Sequence, residues 1–146
     1  MSLKTVNNIL TASGVLFMLY VGVSYILTPA TIAPGFGLPT WPAGDGGGFL
    51  IEKGILDVVT VLVPAVLLLT GHRRALGLTM LVESLAPFGD MTNVLAHHGS
   101  TATAFGVHGL TAVLVAVTGL LILHETRGAA AASVKGSASA PVPALS

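Results

Sequence analysis

Apolar residues fall into four long runs along this chain, at 6–27, 49–70, 75–95 and 103–124, and polar residues gather in the breaks between them. Each run has about the 20 residues that a helix needs to cross a hydrocarbon core. Each also ends on a recognisable stop. Thr28-Pro29 closes the first, because the residue before a proline avoids helical dihedrals. Gly71 closes the second and His97-His98-Gly99 the third. The pattern predicts an all-α fold: an integral membrane four-helix bundle over 1–127, followed by a disordered Ala/Ser/Pro tail over 128–146.

Composition agrees with the pattern. The chain has 146 residues, 53% of them hydrophobic and only 8% charged, against about 25% charged in a soluble domain. It is one domain in size. The first run follows Lys4, as the core of a secretory signal would, but its apolar stretch over 9–27 is long enough to span, so a retained helix is expected. Six acidic and six basic side chains balance, with no basic stripe, which argues against nucleic acid as a partner. There is no cysteine, so disulfides and thiolate metal sites are excluded.

Threading the runs in alternation puts Lys4, Arg73, Arg74, Arg127 and Lys135 on one side. The opposite loops, 28–48 and 96–102, hold no lysine or arginine. Positive residues favour the cytoplasmic face, so a multi-pass protein of the cell membrane with both termini in the cytoplasm is expected. The outer loop 29–48 carries Trp41 between Pro39 and Pro42 and ends in a glycine-rich stretch. Trp41 is suited to an interfacial anchor or to a lid over a pocket.

Ionisable residues inside the runs are the informative ones, because an intramembrane charge is costly and usually faces protein or a wet cavity. They are Glu52, Lys53 and Asp57 in the second run, Glu83 and Asp90 in the third and His108 in the fourth. At 1.5 Å per residue, Asp57 lies roughly 12 Å below the outer helix end, and Asp90 and His108 roughly 8 Å below it. Glu83 lies deeper. Lys53 and Asp57 are four apart and can pair along one helix. Glu83 and Asp90 are seven apart on one stripe, with Asn93 a turn beyond, and Pro87 should bend the helix between the two acids. Tyr20 and Tyr25 of the first run can reach the same bundle. The runs also hold scattered small residues, Gly14, Gly22, Gly54, Gly77, Gly106, Gly109 and Gly119, which permit close helix packing.

The stretches EKGILDVV (52–59), GHRRALG (71–77), SLAPFGDMTNVLAHHG (84–99) and FGVHGLTA (105–112) resemble a family of small four-helix membrane proteins, the domain of unknown function 4267. The resemblance covers roughly residues 10–123. It implies matching features at Gly54 and Asp57, Arg73-Arg74 with Gly77, Asp90, and His108-Gly109, with a basic residue near Lys53. The family carries no activity, so it implies fold and site location without chemistry.

Carboxylates and an imidazole in a pocket of low polarity suit general acid–base work. The expected function is therefore a small membrane enzyme that acts on a lipophilic small molecule drawn from the lipid phase. Isomerisation, cyclisation or epoxide opening in a biosynthetic setting would fit. Asp57, Asp90, His108 and Glu83 are the expected catalytic groups; Lys53, Glu52, Asn93, Tyr20, Tyr25 and Trp41 are expected to line the pocket. With no nucleotide-binding pattern and no HExxH, neither a cofactor nor a metal is expected. Four short helices make a thin bundle that leaves room for a homodimer. The alternatives are a structural or accessory membrane subunit, whose ionisable residues would serve assembly, and a proton-coupled transporter.

Overall fold

The computed structural model describes the backbone of residues 1–138 and the side chains of residues 1–128. The fold is all-α. Helix α1, Leu3–Leu27, starts where the Ser2 hydroxyl accepts the Thr5 amide, and stops at Thr28 ahead of Pro29. Pro29 then opens a short helix α2, Pro29–Ile32, which tightens into a 3-10 turn over Ala33–Phe36. Gly37 ends that turn with φ +95, a left-handed value that favours glycine. A second 3-10 turn, Gly44–Gly47, leads into α3, Gly48–Leu69. Pro64 lies inside α3 without ending it.

The third run is interrupted. Helix α4, Arg73–Glu83, and helix α5, Leu85–Ala96, meet at Ser84. Pro87 accounts for the break, since it has no amide to offer the Glu83 carbonyl and its ring crowds that oxygen. The next bond, from the Phe88 amide to the Ser84 carbonyl, is stretched to 3.4 Å. The last run begins with α6, Thr101–Thr103, passes through a π-helical segment over Ala104–Gly109, and continues as α7, Leu110–Ala138. The expected tail over 128–146 therefore has its first part at the end of α7, and 139–146 lie outside the described residues.

Helices pack as two close pairs. In the first, α1 meets α3 where Gly22 and Gly54 face each other: a Cβ on Gly54 would stand 2.6 Å from the Gly22 carbonyl oxygen. In the second, α4 meets α7, and a Cβ on Gly119 would stand 2.9 Å from the Gly77 carbonyl oxygen. Only glycine lets the backbones approach so far. Gly14 and Gly106, grouped with these in the sequence, make no such contact, because a Cβ on either meets nothing within 4 Å. The pairs join through α1 with α7 and α3 with α4. Leu76, Met80 and Ile122 form a buried cluster against Leu67, Leu68 and Val115.

Two helical stretches, Leu3–Leu27 and Thr101–Gly128, are long and apolar enough to cross a membrane by length and composition. This supports association with a membrane. Helix α3 has comparable length but carries Glu52, Lys53 and Asp57, and the α4–α5 rod is divided at Ser84.

Candidate functional site

Between the helices lies a cavity of about 430 Å³. Helix α1 lines it from Thr11 to Tyr25, α3 from Lys53 to Pro64, α4 and α5 from Met80 to Asp90, and the final helix from Val107 to Val115. Ile32, Gly35 and Phe36 close one end. Its walls are mostly apolar, and its charged groups lie among those five segments.

At the end under Phe36, α3 contributes an ion pair. Lys53 Nζ donates to Asp57 Oδ2 at 2.8 Å, the i,i+4 contact that the spacing predicts. The same ammonium sits 5.1 Å from the centre of the Tyr25 ring and 5.6 Å from that of Phe36. Two aromatic faces thus share the lysine charge with Asp57.

His108 stands opposite, in the π-helical segment. Its Nε2 lies 2.8 Å from the Phe36 carbonyl oxygen. A carbonyl only accepts, so Nε2 carries the hydrogen, and in the neutral ring Nδ1 is a bare lone pair. That Nδ1 is 3.9 Å from Asp90 Oδ2. A lone pair facing a carboxylate is repulsive, whereas a proton on either partner makes the approach favourable. At 3.9 Å they do not bond directly, and an atom of water or ligand that bridged them would sit to one side of the line between them. The Phe36 ring packs on the imidazole, centre to centre 4.7 Å.

Glu83 faces the middle of the cavity, one helix break away from Asp90. Among the described residues no side chain pairs with its carboxyl. Thr11 forms part of the far end, and its hydroxyl is already committed to the Asn7 carbonyl at 2.8 Å. Tyr20 lines the cavity while remaining 67% exposed, so the wall is open beside it.

Asp57, Asp90, His108, Glu83, Lys53, Tyr20 and Tyr25 thus meet at one cavity. Glu52, Asn93 and Trp41 do not line it. Glu52 neighbours Lys53 on the helix, so it projects about 100° away and is exposed. Asn93 is exposed near the end of α5, and its carbonyl accepts a bond from His97 Nδ1 at 3.0 Å. Trp41 sits farther along the loop than the segment that closes the cavity, where Phe36 takes the part expected of Trp41. Among the described residues, no group of three or more His, Cys, Asp or Glu side chains is placed to hold a metal ion.

A second polar cluster at the opposite end of the helices was not apparent from the sequence. Arg73 grips Glu125 with two bonds, Nε to Oε1 at 3.1 Å and Nη2 to Oε2 at 2.7 Å, and reaches Asn8 Oδ1 at 2.7 Å. Asn7 Nδ2 donates to Glu125 Oε2 at 2.8 Å. This ties α1, α4 and α7 together. Adjacent asparagines near the start of an apolar helix were the available signal, and Phe36 was marked only by the glycines on either side of it.

No curated protein and no solved structure matches the chain. A family model does: that of the domain of unknown function 4267 (DUF4267), over residues 15–122. That span takes in every charged residue of the cavity and both glycine contacts between helices, and the chain belongs to the DUF4267 family.

Proposed function

We propose that this protein is a four-span membrane enzyme that moves a proton on a lipophilic substrate, with Asp90 and His108 as the acid–base pair. The observation that carries this reading is the 3.9 Å approach of His108 Nδ1 to Asp90 Oδ2 in a mostly apolar cavity. One member gives its proton to a substrate atom while the other takes a proton from a second atom, so charge and electrons balance without a redox step. Isomerisation, cyclisation and epoxide opening are the reactions of this kind. Asp57, held by Lys53, supplies a fixed negative charge beside developing positive charge, and Glu83 is a second donor deeper in the cavity.

The outer surface supports the membrane part of the reading. Leu16 and Phe17 on α1, Leu62 and Val66 on α3, Phe88 on α5 and Leu120 on α7 are all exposed. Apolar residues exposed on every side call for lipid rather than water. Tyr20 lies seven residues inside the end of α1, so the opening beside it is roughly 10 Å below that end. Substrate would enter sideways from the bilayer.

The test compares cells that make the wild-type protein with cells that make Asp90→Asn at equal abundance. The expected result is a difference in lipid-soluble metabolites, with a precursor accumulating in the variant. Identical profiles would sink the enzyme reading and leave a structural subunit.

A further inference from the structure

We propose that the cavity takes a neutral lipophile with an oxygen at one end, the oxygen bound between Lys53 and His108 and the apolar body running past Glu83 toward Thr11. This rests on the acid–base reading of the same site and adds to it the class of substrate.

Size comes first. At the ~30 Å³ of liquid volume taken by a water-sized group, 430 Å³ accommodates roughly fifteen non-hydrogen atoms. That is the scale of a short terpenoid or a medium acyl chain, not of a membrane phospholipid. Polarity fixes the direction. The charged groups lie near Phe36 and at Glu83, whereas at the far end the Thr11 hydroxyl already donates to the Asn7 carbonyl.

Charge then selects the head. Lys53 has three N–H donors and gives one to Asp57. The ammonium lies beside two aromatic rings at the cavity wall, so a lone pair on a ligand oxygen can take a spare donor. An anionic head would bring a further negative charge among Asp57, Asp90 and Glu83, where one lysine already has its counterion. A cationic head could pair with Asp90, but only beside the Lys53 ammonium at the closed end, and it would leave the lysine's spare donors without an acceptor. Burying a charge without a partner is heavily penalised. An alcohol, ketone or epoxide oxygen accepts from Lys53 without adding charge, and an alcohol can in addition donate its hydrogen to the Nδ1 lone pair of His108.

Farnesol, farnesoic acid and farnesylamine share one apolar body and differ in having a neutral, an anionic or a cationic head at neutral pH. Equilibrium binding of radiolabelled samples to the wild-type protein in lipid nanodiscs gives the test. Farnesol should bind saturably and at least about tenfold more tightly than either charged analogue. Gly14→Leu places a side chain at the inner part of the cavity, where a Cβ meets nothing within 4 Å, so folding should be kept. That variant should lose farnesol about tenfold while keeping the shorter geraniol. Tighter binding of the acid or the amine, saturable binding of none of the three, or indifference to Gly14→Leu would overturn the proposal. None of those results touches the acid–base reading, which depends on the effect of Asp90→Asn on metabolites.

Discussion

Asp90 and His108 are held differently, and their replacements should fail differently. His108 is 8% exposed and is fixed through Nε2 to the Phe36 carbonyl. Removing its ring costs both the lone pair offered to Asp90 and the tie to the loop. Asp90 makes no such tie, so Asp90→Asn keeps the shape and, on the proposed reading, removes the proton exchange. Turnover should fall by about 10²–10⁴, the usual worth of a positioned acid or base, with the melting temperature nearly unchanged. His108→Ala should lower both, and an unchanged melting temperature in that variant would remove the loop-holding role from His108. The acids were legible in the sequence because a charged residue in an apolar run is conspicuous by its cost. Phe36 was not, since its contribution is a backbone carbonyl and a ring face, and neither carries a residue-specific signal until the loop has folded back onto the final helix.

Helix pairing turns on the small residues. Replacing Gly54 with leucine drives a side chain into the Gly22 carbonyl and the Tyr25 Cβ. Overpacking of this kind typically costs 1–3 kcal/mol, and more is expected here because the obstacle is backbone. Thermal unfolding in nanodiscs should show the loss for Gly54→Leu and little change for Gly106→Leu, where the space is open. Periodicity and glycine content marked the helices and their capacity for close approach. They did not mark which glycines touch, because that depends on helix rotation, and rotation is fixed only by the partner. The π-helical turn at Ala104–Gly109 was likewise invisible. Its i→i+5 bonding fits one extra residue into a turn, and such turns are frequent at functional sites. It lets His108 face Asp90 while Gly119, farther along the same helix, faces Gly77. Deleting one residue between them, at Leu110, should turn these two contacts about 100° out of phase, and loss of either the Asp90–His108 approach or the Gly77–Gly119 contact in that variant's structure is the check.

Across the whole molecule, the spacing of the apolar runs and the placement of five basic residues gave the expected topology. Reporter fusions at Lys4 and after Arg127 should both read cytoplasmic, and an external signal from either would refute the four-span arrangement. The two ends of the molecule are also fastened unequally. At the end marked by Arg73, a guanidinium joins three helices through Glu125, Asn7 and Asn8. Lysine cannot reproduce that forked grip, so Arg73→Lys should be destabilising despite keeping the charge, as thermal unfolding would show. At the other end, the link between the loop and the final run consists chiefly of the Ser100 amide bonding the Gly37 carbonyl at 2.8 Å and His108 bonding Phe36. A clothes-peg has the same construction, a firm spring at one end and, at the other, jaws that press together without a charged grip. Amide hydrogen exchange should accordingly be faster over 33–37 and 99–104 than beside Asn7, Arg73 and Glu125, with the jaws parting toward Tyr20 and the spring staying closed.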